Sequence, residues 1–261
     1  GVLNVTPDSF SDGGSFNDPV SALFQAEKMV QNGADIIDVG GESTRPGAKE
    51  ISTVLEIERT GQVIKTICAK TNVAVSIDTR KASVAKAAVK SGAALVNDVS
   101  GLTFDPDLAP FCAEEDLPVC VMHSQGLPEV MQDMPLYEDV VLDVYDFLET
   151  QINHLIGQGI GRNRIIADPG IGFGKTMAHN LALLNRVSLF HSLGVPLLLG
   201  VSRKGFIGKI TQENVAEARV IGSVSAALTC LSQGVQIFRV HDVKETRQAF
   251  DMWQTIMFGR E

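Results

Sequence analysis

Short apolar runs alternate with longer amphipathic stretches along this chain, and the alternation repeats eight times. The runs are Val2 to Val5, Asp35 to Gly40, Val73 to Ile77, Leu95 to Val99, Pro118 to Met122, Arg164 to Ala167, Pro196 to Gly200 and Gln236 to Val240. Polar residues do not take every second place in them, so both faces are expected to be covered and the strands parallel. Helical spacing predicts helices over Pro19 to Asn32, Ile51 to Lys70, Ala82 to Lys90, Asp107 to Glu115, Tyr137 to Gly157, Asn180 to Leu193, Val215 to Ser232 and Lys244 to Met257. The last is the clearest, with Ala249, Phe250, Trp253, Ile256 and Met257 on one face. Gly33, Gly92, Gly157, Gly194 and Gly234 follow helices where a left-handed cap is wanted. Eight strand and helix units with no linker predict one α/β domain over residues 1–261, a (β/α)8 TIM barrel, with an open doubly wound sheet as the alternative.

Composition narrows the function. A net charge of -9 over 261 residues argues against a nucleic-acid surface but allows a local basic pocket for a small anion. Cys68, Cys112, Cys120 and Cys230 fall at wide, irregular spacings, which suits neither a zinc site nor a disulfide framework and points to a reduced, cytoplasmic setting. No apolar run approaches the ~18 residues of a membrane span. No basic-then-apolar leader precedes the first strand; because the chain opens on Gly1, a short N-terminal piece is expected to be missing.

Chemistry gathers at the strand ends, where barrels of this kind keep their sites. In order they offer Asn4 with Asp8, Phe10, Ser11 and Asp12; Asp38 with Glu42, Ser43, Thr44, Arg45 and Pro46; Asp78 and Thr79; Asn97 and Asp98; His123; Asp168; Ser202, Arg203 and Lys204; and Arg239 with His241. One such Asp or Asn alone is more often a turn former or helix cap. However, Asp38, Asp78 and Asp168 lie within strands, where Asp is disfavoured and has no capping task. A buried Asp168 needs a partner, and the glycines of the following Pro169-Gly170-Ile171-Gly172-Phe173-Gly174 let something bulky approach the backbone. The same stretch is not a phosphate loop, since Pro169 stands where that geometry needs glycine. His123 is the weakest candidate and reads equally as a structural histidine, while His154, His179 and His191 read as surface.

Deep carboxylates and an amide suit a planar heterocycle bearing N–H and NH2 groups, and Arg45, Lys204, Arg239 and His241 nearer the rim suit an anion. Asn4, with Asp8 or Asp12 as further candidates, offers oxygen ligands for Mg2+.

Five segments carry a family likeness: Gly1-Val2-Leu3-Asn4-Val5-Thr6-Pro7-Asp8-Ser9-Phe10-Ser11-Asp12-Gly13-Gly14, Asp38-Val39-Gly40-Gly41-Glu42-Ser43-Thr44-Arg45-Pro46-Gly47, Asp168 to Lys175, Ser202-Arg203-Lys204 and Arg239-Val240-His241-Asp242. Together they resemble the dihydropteroate synthases. The resemblance implies condensation of 6-hydroxymethyl-7,8-dihydropterin diphosphate with p-aminobenzoate, giving 7,8-dihydropteroate and diphosphate by a dissociative pterin-cation mechanism, with sulfonamides as inhibitors. It places Asp78, Lys204, Arg239, Asp12 and Arg45 among the catalytic residues. Asp78, Asn97, Asp168, Lys204, Met122, Phe173 and Asp38 would hold the pterin; Asn4, Arg45, Arg239 and His241 the diphosphate; and Phe10, Thr44, Pro46, Lys204 and Gly205 the p-aminobenzoate. Asn4 would be the metal ligand for Mg2+. A homodimer through the late helices is implied as well, although burial against the barrel also explains the apolar face Val220, Val224, Leu228 and Leu231.

Two departures stand out. Gly205 follows Lys204 where the family often has Ser, and Arg80 stands where Ser is more usual, a change expected to matter little. The alternatives are a methyltetrahydrofolate-type pterin methyltransferase, which would not need Arg45, Arg239 and His241 around an anion, and a non-catalytic pterin-binding protein, which would show a broken first loop.

Overall fold

The computed structural model describes residues 1–6, 19–43, 48, 50–125 and 135–259. Its elements run β1 (Val2–Asn4), α1 (Pro19–Gln31), β2 (Ile36–Gly40), α2 (Thr53–Lys70), β3 (Ala74–Asp78), α3 (Ala82–Lys90), β4 (Leu95–Asp98), α4 (Leu108–Glu114), β5 (Val119–Met122) and α5 (Val140–Gly157). They continue as β6 (Ile165–Asp168), α6 (Met177–Asn185), β7 (Leu198–Leu199), α7 (Gly205–Thr211), α8 (Val220–Leu231), β8 (Ile237–Phe238) and α9 (Val243–Phe258).

β1 to β6 form one parallel sheet in sequence order, and β7 pairs in parallel with β8. Two joints close the circle. On one side Ala167 pairs with Leu197 and its N–H donates to Pro196 O at 2.9 Å; on the other Val2 N–H donates to Val240 O at 3.0 Å. An open sheet would leave β1 unpaired along its outer edge, so the barrel expectation holds.

The period of two along each strand explains how a carboxylate comes to sit inside a run of aliphatics. Ile37, Val39, Val75, Ile77, Val96, Val119, Val121, Ile165 and Ala167 point outward into the core shared with the helices. Cys120, Ile166 and Leu198 point inward and pack with Leu95 and Ile237 as a separate cluster inside the barrel. Asp38 lies between Ile37 and Val39 and so faces the interior, as do Ser76 and Asp78. Each buried aliphatic side chain contributes about 1.5–3 kcal/mol. The outward layer therefore outweighs the penalty, about several kcal/mol per ion, of the few charges turned inward.

Helix ends follow local chemistry. Ser52 Oγ accepts from Leu55 N–H at 3.3 Å, Asp139 caps Val141 and Leu142 at 2.9 and 3.3 Å, and Thr176 and His179 form a reciprocal capping box. The predicted helix 180–193 divides. α6 ends at Asn185, and a 3-10 stretch covers Val187–Leu193 because buried Val187, Phe190 and Leu193 recur every third residue. α8 begins at Val220 rather than Val215: Arg219 folds back and donates to the carbonyls of Glu213, Asn214 and Arg203 at 2.9, 2.7 and 3.1 Å. α7 was not visible in the periodicity, since Gly205 and Gly208 dilute a short helical signal. No helix among the described residues is long and apolar enough to cross a membrane.

Candidate active site

Asp38 is the most heavily ligated carboxylate of the barrel interior. It accepts hydrogen bonds from Ser76 Oγ, from Asn97 Nδ2 at 3.2 Å and from Arg239 Nε at 2.5 Å. Burial alone would raise its pKa, but the Arg239 charge and these donors prevail and hold it below the usual carboxylate range. Asp78 lies next to Asn97 across β3 and β4 and accepts from Arg239 Nη2 at 2.8 Å. Burial pushes its pKa up to about 7, with the Arg239 charge opposing and Asp38 reinforcing. Arg239 thus carries the positive charge between two acids, and its own pKa is raised by them against the effect of burial.

The other side of the chamber is built by the turn after β6. Asp168 Oδ1 accepts from Gly170 N–H at 2.7 Å, and burial raises its pKa against that bond and the charges of Lys204, Lys175 and Arg239. Gly170 adopts φ +70°, and a Cβ there would stand 1.8 Å from the carbonyl oxygen of His123, so only glycine allows this turn to lie on the end of β5. Met122 is register-paired with Asp168 and buried beneath the turn. Lys204 places its ammonium 4.3 Å from the centre of the Phe173 ring, and a Cβ on Gly172 would come within 3.2 Å of the lysine side chain. Burial brings the Lys204 pKa down to about 8, with Asp168 opposing.

At the rim, Ser202 Oγ accepts from His241 N–H at 3.1 Å and lies 3.0 Å from His241 Nδ1. The hydroxyl has one donor and two acceptor sites, so it can pair with Nδ1 in either tautomer; where it donates to Nδ1, the ring proton sits on Nε2. Burial and the charges of Arg203 and Arg239 lower the His241 pKa to about 3, so the ring is neutral and offers one N–H donor. Arg203 is committed elsewhere, to a two-pronged pair with Asp242 at 3.0 and 2.6 Å. Asn4 ends β1 beside Gly40; a Cβ at Gly40 would take the space 3.5 Å from Asn4 Oδ1 and 3.7 Å from Asp78 Oδ2.

Asp38, Asp78, Asn97 and Arg239 are therefore in direct contact, and Asp168, Met122, Phe173 and Lys204 form the facing group. Gly205 opens α7, exposed. Phe10, Asp12, Thr44, Arg45 and Pro46, with Asp8 and Ser11, lie outside the described residues. His123 is structural: its Nδ1 lies 2.9 Å from Lys175 Nζ and its ring meets Phe147 edge-on at 4.9 Å. His154 is exposed, whereas His179 and His191 are half-buried and partnered, by the Thr176 cap and Gln233 O.

Sequence reasoning missed Ser76 and Lys175, and it named Ser202 at a strand end without giving it a role. Ser76 was detectable in principle, standing two residues before Asp78 on the same strand face. Lys175 is fully enclosed, and burial draws its pKa down to about 7 against the pull of Asp168; nothing in the motif Gly174-Lys175-Thr176 signalled that. Among the described residues no group of three His, Cys, Asp or Glu side chains could hold a metal ion.

The pterin binding enzyme family matches residues 1–241. The dihydropteroate synthase of Escherichia coli (strain K12) is 44% identical over 261 residues, covering 100% of this chain and 92% of that protein. The Yersinia pestis dihydropteroate synthase in a sulfonamide drug complex superposes with a TM-score of 0.93 at 44% identity, covering 98% and 93% of the two chains. The Xanthomonas albilineans dihydropteroate synthase does so at 0.94 and 41% with 4-aminobenzoic acid, and at 0.90 and 38% with 7,8-dihydropteroate, each time covering 99% of this chain and 92% of the other.

Proposed function

The chain belongs to the dihydropteroate synthases, pterin-binding transferases of folate biosynthesis, and on that premise we propose how its residues divide the work. The reaction joins 6-hydroxymethyl-7,8-dihydropterin diphosphate to p-aminobenzoate and yields 7,8-dihydropteroate and diphosphate; sulfonamides target it.

The placement of Asp78, Asn97 and Asp168 on three strands of one chamber, faced by Lys204 over Phe173, carries the site assignment. A carboxylate beside the 2-amino and ring N–H edge of the pterin accepts two hydrogen bonds, and a ring without that edge would leave it unpaired. Asp168 takes this part, with Asp78 and Asn97 along the ring and Met122 and Phe173 against its faces. Asp38 supports them from behind by holding Asn97 and Arg239.

Breaking the C–O bond to diphosphate leaves positive charge on the pterin. The buried carboxylates stabilise it, while Arg239, the single N–H of neutral His241 and Arg45 receive the departing anion. The p-aminobenzoate nitrogen is already a neutral nucleophile, so its attack on the exocyclic carbon needs orientation more than a strong base. Phe10, Thr44, Pro46, Lys204 and Gly205 supply that orientation, and Asp12 completes the catalytic set.

Mg2+ fits the donors present. It takes few protein oxygens and completes its shell with water and substrate phosphate, and Asn4 offers one amide oxygen beside the space that Gly40 leaves open. Bound there, the ion would neutralise charge on the leaving diphosphate. We place the whole site on one barrel domain, in a cytoplasmic enzyme. A homodimer is supported by exposed apolar residues on the late helices, among them Ile221 of α8 and Met252 and Ile256 of α9.

Incubation with both substrates and Mg2+, followed by chromatography of the products, tests the reaction. 7,8-Dihydropteroate and diphosphate in equal amounts are expected; binding of the pterin without turnover would leave a pterin-binding protein instead.

A further inference from the structure

Glu42, Glu56, Arg80 and Lys81 form an ion cluster beside the chamber that the pterin chemistry leaves unused. Glu42 Oε1 accepts from Arg80 Nη2 at 2.6 Å and Oε2 from Lys81 Nζ at 2.8 Å. Lys81 also donates to Glu56 Oε2 at 2.9 Å, whose other oxygen accepts from Thr79 Oγ1 at 2.7 Å. None of the four charged side chains is more than 9% exposed. Burial opposes ionisation of Glu42 and Lys81, yet their mutual bonds keep the first acidic and the second basic.

Two positive and two negative charges in such a place gain little stability over apolar packing of the same volume. What the cluster supplies is geometry. It holds both ends of the segment after β2: Glu42 Oε2 accepts from Ile51 N–H at 3.0 Å, and Lys81 Nζ donates to Ile51 O at 2.7 Å. Arg59 adds a bond to Gly41 O at 2.8 Å. Arg80, expected from the sequence to matter little, is a joint of this cluster and lies over the Phe104 ring at 4.2 Å, tying in the connection after β4.

We propose that Glu42 and Lys81 are positioning residues for the condensation, acting through the segment between Ser43 and Ile51, which carries Thr44, Arg45 and Pro46. The inference rests on the assignment of those three residues to p-aminobenzoate and diphosphate. A merely stabilising cluster would lower the melting temperature without raising the KM for p-aminobenzoate relative to the pterin Kd.

Glu42→Gln, and Lys81→Met combined with Glu56→Gln so that no buried charge is stranded, separate the two roles. The probe for the inner chamber is 6-hydroxymethyl-7,8-dihydropterin without its diphosphate. We expect its Kd to stay within about twofold while the KM for p-aminobenzoate rises and kcat falls, each by about tenfold, with Lys81→Arg recovering most of the loss. Parallel shifts in pterin Kd and p-aminobenzoate KM, or a lowered melting temperature with unchanged kinetics, would overturn the proposal. Product formation by the wild type, measured alongside, tells a failure of this inference from a failure of the functional reading.

Discussion

The guanidinium of Arg239, just beyond β8, donates to the carboxylate of Asp78, at the end of β3, across 2.8 Å of the barrel mouth. The same group reaches Asp38 at 2.5 Å. Arg239→Met would strand two buried acids, and breaking a buried pair from one side costs about 3–5 kcal/mol. Arg239→Lys keeps a charge but not the fork that serves both acids. Calorimetry is expected to rank the melting temperatures wild type, then Lys, then Met; an unchanged value for Met would contradict the pairing.

Asp78 titrates in an unusual range, and its variant reveals the sign. Its pKa lies near 7 in the folded chain against 3.8 for an unperturbed Asp, so the folded state binds the extra proton between those values. The resulting stability is present at low pH and is lost as pH rises through about 7. Asp78→Asn does not titrate. The stability difference between variant and wild type should therefore shift in favour of the variant from pH 4 to pH 7, whatever other groups do in common. Urea unfolding at several pH values measures it; a pH-independent difference would refute the assignment.

The strands were legible because their outward positions are aliphatic, and the acids were legible because Asp38, Asp78 and Asp168 break those runs. Much of the rest depends on register and distance. Nothing in the sequence says that Arg239 turns toward Asp38 and Asp78, that Ser202 reaches His241, or that Lys175 meets His123. The cluster at Glu42 was hidden for the same reason: its members stand 38 and 39 residues apart in the chain and meet only because β2 and β3 are neighbours. Closure of the ring rests on backbone bonds to Pro196 and Val240, which carry no side-chain signature.

Ser202 is expected to fix the proton of His241 on Nε2 by donating to Nδ1 across their 3.0 Å contact. A neutral hydrogen bond contributes about 0.5–1.5 kcal/mol net, so Ser202→Ala should raise the KM for the pterin diphosphate by about three- to tenfold and leave that for p-aminobenzoate unchanged. Nitrogen NMR should show Nε2 protonated in the wild type and a mixture in the variant. A wild-type ring protonated at Nδ1 would contradict the assignment.

Two glycines give opposite outcomes. Gly170→Ala must move the His123 carbonyl and should unfold the turn, with loss of both stability and activity. Gly200 continues the inward face of Leu198, and a Cβ there meets nothing within 4 Å. Gly200→Val should fold normally and yet fill the chamber, raising the pterin Kd. Equal stability losses at the two positions would contradict the geometry.

The central claim is that the Asp168 carboxylate reads the hydrogen-bonding edge of the pterin. Asparagine at this position can still accept the Gly170 N–H bond, so the turn survives while the second acceptor oxygen becomes a donor. Diphosphate release from the pterin diphosphate with Mg2+, with and without p-aminobenzoate, should be followed for wild type and Asp168→Asn. Release coupled to 7,8-dihydropteroate in the wild type, with kcat/KM for the pterin lowered by about 10- to 100-fold or more in a folded variant, is the predicted result. Wild-type turnover in Asp168→Asn would contradict the account.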